Sequence, residues 1–325
     1  VSSGDPGAVT LSFVIPARNE AVMIAATIAS IHRHAADWHH EVIVVDDASG
    51  DDTAALAREA GAVVVAGTGA GIGANRNAGA ALAGGRVLVF LDADVELTAA
   101  WQARMPAVCV ALAQTPHLIT GSHCDIPDRA GWLERYWFAA FARERGSRHV
   151  GSGHMVINTA FFRELGGFDP SLETGEDYEL CARARRQGAT VINDIALRVV
   201  HKGFPRGLAA FIRREAWHGR GDFRSWHALI HSRVAVLTVV FLVAHLAGLA
   251  ALLAGWTGGA LAAMAVVAAV LVASSIRKYA GQPLRVLAVN ALVFYCYYLG
   301  RGLAAMRRLD PRGARHARLA QGVRG

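Results

Sequence analysis

The chain has 325 residues, room for about two domains, and its 53% hydrophobic content and mean hydropathy of +0.30 exclude disorder, collagen, coiled coil and an ordinary water-soluble composition. Its net charge of +7 is a property of the C-terminal third: from Arg233 onward eleven basic residues face one acid, Asp310, giving +10, while residues 1–232 carry −3. That placement points to an anionic membrane surface rather than to nucleic acid, whose readers carry Arg and Lys on the face of the folded domain.

In chain order, residues 11–15 read as a strand, and Asn19 is expected to cap a helix whose Ile24, Ile28 and Ile31 have helical spacing. Residues 41–45, 62–66 and 86–91 are further strands, with a helix over 52–60. This alternation predicts an α/β domain, a mostly parallel sheet with helices on its faces. Ligands of such sheets bind beyond the C-terminal strand ends. Those ends read Pro16-Ala17-Arg18-Asn19-Glu20, Asp46-Asp47 and Asp92-Ala93-Asp94, so carboxylates converge on one edge.

Asp92 and Asp94, two apart in an extended chain, point to one side and can share a cation such as Mg²⁺ or Mn²⁺ bridging a diphosphate; solvated loop acids are the plain alternative. Asp46-Asp47 can accept from a base N–H or a ribose hydroxyl, while Asp51 or Asp52 caps the next helix. Arg76 can serve phosphate as a fork donor or stand as a surface helix arginine. The run Gly69-Ala70-Gly71-Ile72-Gly73-Ala74 satisfies a dinucleotide fingerprint, with Asp92 at a suitable distance, but two strand and helix units precede it where that fingerprint normally opens its domain. Further on, Gly166-Gly167-Phe168-Asp169 is followed by Gly175-Glu176-Asp177, which opens a helix running to Gln187 and closed by Gly188. At a helix N-terminus the dipole favours ionised carboxylates, as helix caps or as an available base. Cys109, Cys124, Cys181 and Cys296 form no CxxC pair, so neither a zinc ribbon nor a disulfide framework is expected.

In this order, the motifs ending in Pro16-Ala17-Arg18-Asn19-Glu20, Asp46-Asp47-Ala48-Ser49, Asp92-Ala93-Asp94 and Gly175-Glu176-Asp177 resemble the family 2 glycosyltransferases of GT-A fold, over about residues 11–204. The resemblance implies a UDP- or GDP-sugar donor, a divalent metal (Mn²⁺ or Mg²⁺) and inversion at the anomeric carbon. By that likeness Pro16, Ala17 and Glu20 line the nucleoside pocket and Asp47 contacts the base. Asp92 and Asp94 form a DxD element with Asp94 as direct metal ligand, and His201 is a further ligand or diphosphate contact. Arg76 steadies the diphosphate, Asp177 is the acceptor base, and Glu176 and Gly153 lie on the acceptor side. Residues 211–217 contain Arg and Trp but not the QxxRW pattern of processive synthases. The alternatives are an NAD-dependent oxidoreductase using the glycine-rich loop and a non-catalytic nucleotide-binding membrane scaffold.

Residues 234–276 hold no Asp, Glu, Lys or Arg. As one helix they would run about 64 Å, twice a bilayer core of about 30 Å. Two crossings, about 234–254 and 258–276, are expected around Gly255-Trp256-Thr257-Gly258-Gly259; a helical hairpin buried in a soluble protein is the alternative. Arg233 at one end and Arg277-Lys278 at the other then lie on the cytosolic side of a cytoplasmic membrane, with the first domain. The N-terminus has no signal-peptide pattern, which agrees with that side. A third apolar segment, about 286–306, has only fifteen uncharged residues between Arg285 and Arg301 and precedes a basic tail, so an in-plane or re-entrant helix is favoured, with Tyr295, Tyr297 and Tyr298 in the headgroup layer. The expected division is a catalytic domain over 1–210, an amphipathic membrane-surface linker over 211–232 with Trp217, Phe223 and Trp226, and a membrane region over 233–325. The expected partners are the nucleotide sugar, a lipid-linked or glycan acceptor and membrane lipids.

Overall fold

The computed structural model describes residues 10–140 and 149–309; the tail arginines Arg312, Arg315, Arg318 and Arg324 and residues 1–9 lie outside the described residues. The chain divides into two compact units. One comprises the residues up to Ala130 together with Phe138–Phe204, and the other comprises Gly131–Trp137 and the chain from Pro205 on.

In the first unit the order is β1 (Leu11–Ala17), α1 (Ile24–His34), β2 (His40–Asp46), α2 (Thr53–Glu59), β3 (Val63–Ala66), α3 (Ile72–Leu82), β4 (Val87–Leu91), β5 (Val95–Leu97) and α4 (Ala99–Gln114). It continues through β6 (Leu118–Gly121), β7 (His154–Asn158), α5 (Thr159–Glu164), α6 (Glu176–Arg186), β8 (Thr190–Asn193) and β9 (Val199–His201). Seven strands form one sheet in the order β3-β2-β1-β4-β7-β6-β8, parallel except for β7, while β5 and β9 pair separately. The central strands are buried on both faces, which is why they read as unbroken apolar runs. Phe13, Ile15, Val89 and Leu91 pack on one face with Ile28, Trp101 and Met105; Val14, Leu88 and Phe90 pack on the other with Phe162 and Phe168.

The expected strands are present, with two adjustments. β1 runs on through Pro16 and Ala17; pairing with β4 stops at Val14, so the proline leaves no ladder bond unmade on that side. Asn19 does not cap α1, which starts at Ile24. It sits at φ +56°, with its N–H donating to Ser49 Oγ and its Oδ1 accepting from the Gly50 N–H, so its side chain joins two loops.

The second unit holds α7 (Leu208–Asp222), α8 (Trp226–His231), α9 (Arg233–Leu253), α10 (Thr257–Lys278) and α11 (Leu284–Leu309). By length and composition α9, α10 and the Leu284–Met306 part of α11 can each cross a membrane. The α9/α10 hairpin turns at Gly255, φ +72°, and Gly248 lets α9 approach Ala260 and Ala263 of α10. The third apolar segment, expected as an in-plane or re-entrant helix, is one unbroken helix. The 211–232 region, expected as an amphipathic membrane-surface linker, is mostly helical. Most of it belongs to α7, whose buried face, Phe211, Glu215, Ala216 and Gly219, includes residues packed closely on Gly300, Arg301 and Ala304 of α11. Glu215 is paired with Arg214 (3.0 Å) and Arg301 (2.9 Å), and Arg301 also with Asp222 (2.7 Å). Within this unit Trp137 stacks edge-on against Phe211 and Phe294 and carries the Lys278 ammonium 3.3 Å from its ring centroid. Nothing in the sequence marks residues 131–137 for this unit, whereas the first unit closes at Phe204, short of the expected residue 210.

Candidate active site

At the end of β4 the chain turns sharply: the Asp92 N–H donates to Gly153 O (3.2 Å) and its own carbonyl accepts from the Val95 N–H (3.1 Å). β5 then pairs with β9, Val95 opposite His201, which brings the imidazole Nδ1 to 3.6 Å from Asp94 Oδ2. Ligand atoms of Asp92, Asp94 and His201 lie within 4.8 Å of one another. The His201 ring is stacked on Phe204 at 4.1 Å and 8°, and Phe204 on Phe138. A Cβ on Gly203 would collide with Asp94 Oδ2, and one on Gly153 would lie 2.6 Å from Asp92 Oδ2. Both carboxylates therefore depend on a neighbouring hydrogen atom where any other residue has a side chain.

Two hard carboxylates and an imidazole are a donor set suited to Mn²⁺ or Mg²⁺. The field agrees. Burial, then the charges of Asp94, Asp92 and Asp51, push the Glu20 carboxyl up to about 7, as clustered carboxylates do. The residues present fit a divalent cation.

Arg76, on α3, is 1% exposed. Its Nη2 donates to Asp92 Oδ1 (2.6 Å) and its Nη1 to Glu176 Oε1 (2.7 Å). Both terminal nitrogens donate to carboxylates, and the residue is buried and not a surface helix arginine. Glu176, 5% exposed, also accepts from Ser152 Oγ (3.0 Å). Burial raises its pKa, Arg76 opposes that, and Asp177 adds to it. A charge so buried needs its partner, and Arg76 supplies it to Glu176, while Gly153 lies against Asp92.

Asp177 follows in the first turn of α6, after Gly175 at φ +79°, and is half-buried. Its Oδ2 accepts from the Ser152 N–H (3.1 Å) and lies 3.4 Å from His149 Nε2. Burial alone would raise its pKa, but the hydrogen bond and charge of His149, the Ser152 amide and Arg76 outweigh it and hold the carboxyl below its usual range. His149 and Ser152 were missed in the sequence; the glycines flanking Ser152 just before a strand are the signal that marks them.

The residues expected to line the nucleoside pocket lie at the neighbouring strands. The Asp47 N–H donates to Ala17 O (2.8 Å), and Asp47 Oδ1 accepts from the Gly69 N–H (3.2 Å). Asp46 is spent on a local turn with Ser49. Asp51, not Asp52, accepts from the Thr53 N–H at the start of α2. Pro16 and Ala17 are buried in the last residues of β1. The glycine-rich run follows β3, an edge strand, and folds over Asp47. A dinucleotide fingerprint belongs at the topological switch point, so that reading loses its structural context.

Residues 12–110 match the family model described as glycosyl transferase family 2, and residues 105–297, more than half the chain, match glycosyl transferase family group 2. The chain is a family 2 glycosyltransferase. Among solved structures this glycosyltransferase shares its fold with the mannosyltransferase PcManGT from Pyrobaculum calidifontis in complex with GDP-Man and Mn²⁺, at TM-score 0.56 and 20% identity over 92% of this chain and 86% of that one. It is 26% identical over 166 residues to the pre-mycofactocin glycosyltransferase of Mycobacterium tuberculosis, covering 46% of this chain and 33% of that protein. It is 27% identical over 142 residues to the putative polypeptide N-acetylgalactosaminyltransferase 10 of Drosophila melanogaster, covering 36% of this chain and 22% of that protein. The match thus spans a third or less of each curated relative.

Proposed function

We propose that this glycosyltransferase moves a sugar from a UDP- or GDP-sugar to a lipid-linked or membrane-proximal acceptor, with inversion at the anomeric carbon. The observation that carries the proposal is the continuous link from Asp92, beside Asp94 and His201, through Arg76 to Glu176 and so to Asp177. Donor-phosphate and acceptor chemistry are thereby joined by one buried guanidinium.

Pro16, Ala17, Glu20 and Asp47 hold the nucleoside at the ends of β1 and β2, Asp47 accepting from the base in an orientation set by the Gly69 amide. Asp94, Asp92 and His201 would hold a divalent cation, Mn²⁺ or Mg²⁺. When bound, that ion supplies Lewis-acid stabilisation of the departing nucleoside diphosphate. Arg76 keeps Asp92 and Glu176 in place instead of contacting phosphate. Asp177, kept ionised by Ser152 and His149, takes the acceptor proton as the acceptor oxygen bonds to C1 and the bond from C1 to the diphosphate breaks on the opposite face. With a lipid phosphate as acceptor the attacking oxygen is already ionised, and Asp177 orients it. α9 and α10 anchor the enzyme in the cytoplasmic membrane, with the Arg233 and Lys278 ends cytosolic.

A thermal-shift panel tests the reading. UDP- or GDP-sugars should raise Tm with Mn²⁺ present, and more weakly after chelation. Stabilisation by NAD, or by no sugar nucleotide at any manganese concentration, would overturn it.

A further inference from the structure

We infer that the membrane part of this enzyme crosses the bilayer twice, not three times, and that α11 lies along the interface, between the charged helix α7 and the 233–245 and 274–278 portions of the α9/α10 hairpin. The inference rests on the membrane-anchor reading above and adds what length and hydropathy alone do not give.

Three observations within the second unit carry it. The first is register. Ser275 Oγ donates to Leu287 O (2.7 Å), and Ser274 Oγ lies 2.7 Å from Tyr298 Oη. Leu287 and Tyr298 are separated by about 16 Å of helix, yet they reach adjacent residues in the last turns of α10. A third crossing running back beside α10 would place Tyr298 about eleven residues away from that end. α11 instead passes across the end of α10.

The second is the company α11 keeps. Gly300 meets the backbone of Ile212 and the Cβ of Glu215, Gly219 of α7 meets Arg301 and Ala304, and Arg301 is bound by Glu215 and Asp222. Over the same 15 residues α7 carries Arg213, Arg214, Glu215, Arg220 and Asp222. Each charge at a bilayer centre costs about 2.5–3.5 kcal/mol on insertion scales. A helix so charged belongs at the aqueous face, and the part of α11 packed along it shares that level.

The third is sidedness around α11. Tyr295 and Gly302 face His245 and Leu242 of α9, while Gly300, Arg301 and Ala304 face α7. Leu292, Leu299 and Leu303 lie between these directions on one strip and are 72%, 36% and 40% exposed. That strip is the lipid-contacting edge of an interfacial helix.

The test is a depth measurement on the full chain in vesicles of phosphatidylglycerol and phosphatidylethanolamine. Single cysteines replacing Leu292, Leu299, Leu303 or Gly255, in a background lacking the four native cysteines, carry a fluorophore quenched by lipids brominated at defined depths. Leu292→Cys, Leu299→Cys and Leu303→Cys should report one shallow depth. A graded depth approaching the about 16 Å between the first and last of them would overturn the inference while leaving the anchor intact. Impermeant quencher added outside right-side-out vesicles should reach Gly255→Cys; if Gly255→Cys is reached only from the Arg233 side, the hairpin does not cross and both readings fall.

Discussion

Arg76 and Arg301 are each held between two carboxylates, yet they sit in opposite electrostatic surroundings. Arg301, with Glu215 and Asp222, has Arg214 beside it, so cations and anions balance. Around Arg76, the acids Asp92 and Glu176 are joined by Asp177, and Asp94 and Glu20 add to the field at Asp92. The same interaction thus serves two ends. A balanced buried cluster fastens helices, while an acid-rich one leaves negative charge in excess and perturbs its neighbours, which is where a cation and a proton acceptor are useful.

Substitutions can break or sharpen that contrast. The largest effect is expected at Asp177: Asp177→Asn should lower turnover by about 10²–10⁴ if the acceptor is a hydroxyl, and by much less if it is an already ionised phosphate; initial rates on the two acceptor types read this directly. Next, Arg76→Met and Arg301→Met should each cost about 3–5 kcal/mol by stranding buried carboxylates, measured by denaturation in detergent. Only Arg76→Met should also lower turnover per folded molecule, by less than Asp177→Asn does. Equal turnover losses in both would erase the distinction drawn between them.

Gly203→Ala ranks third. Its methyl would press on Asp94, and manganese affinity should fall about 10–100-fold, the range seen when a metal site's supporting shell is disturbed. Manganese titration followed by paramagnetic resonance checks this; an unchanged affinity would place the cation elsewhere. The smallest effect is that of pH. Glu20, raised to about 7 from 4.5, holds a proton in the folded state that the unfolded chain releases, so its contribution favours folding at low pH and is lost as pH rises through about 7. Because the group is half-exposed, the loss should be on the order of 1 kcal/mol after solvent screening. Chelated enzyme should show this slope in Tm, Glu20→Gln should flatten it, and Mn²⁺ should remove it. A slope identical in wild type and Glu20→Gln would assign it to another group.

The strand-end acids were legible because each lies directly after an apolar run, where short-range pattern and sheet topology together set position. Asp92 and Asp94 needed only that, whereas Asp177, at a helix start with no apolar run before it, stood out only in the company of the other motifs. Their partners did not announce themselves. Arg76 read as a phosphate donor because an arginine in a helix has no visible partner in one dimension; Glu176 lies 100 positions away and Asp92 16. His149 and Ser152 precede β7 with little more than two flanking glycines to mark them, and nothing in residues 131–137 signals that Trp137 packs with Phe211 and Phe294.

By itself the sequence determined the alternation of strands and helices, the acidic edge of the sheet and the apolar length of the last helices, since periodicity, turn residues and hydropathy act over a few neighbours. Which carboxylates gather beside His201, which are held by a buried guanidinium, and whether α11 runs beside α10 or across its end were decided only in three dimensions. Those outcomes depend on charges and surfaces brought together from distant parts of the chain, and a buried charge takes its character from the partners that packing supplies.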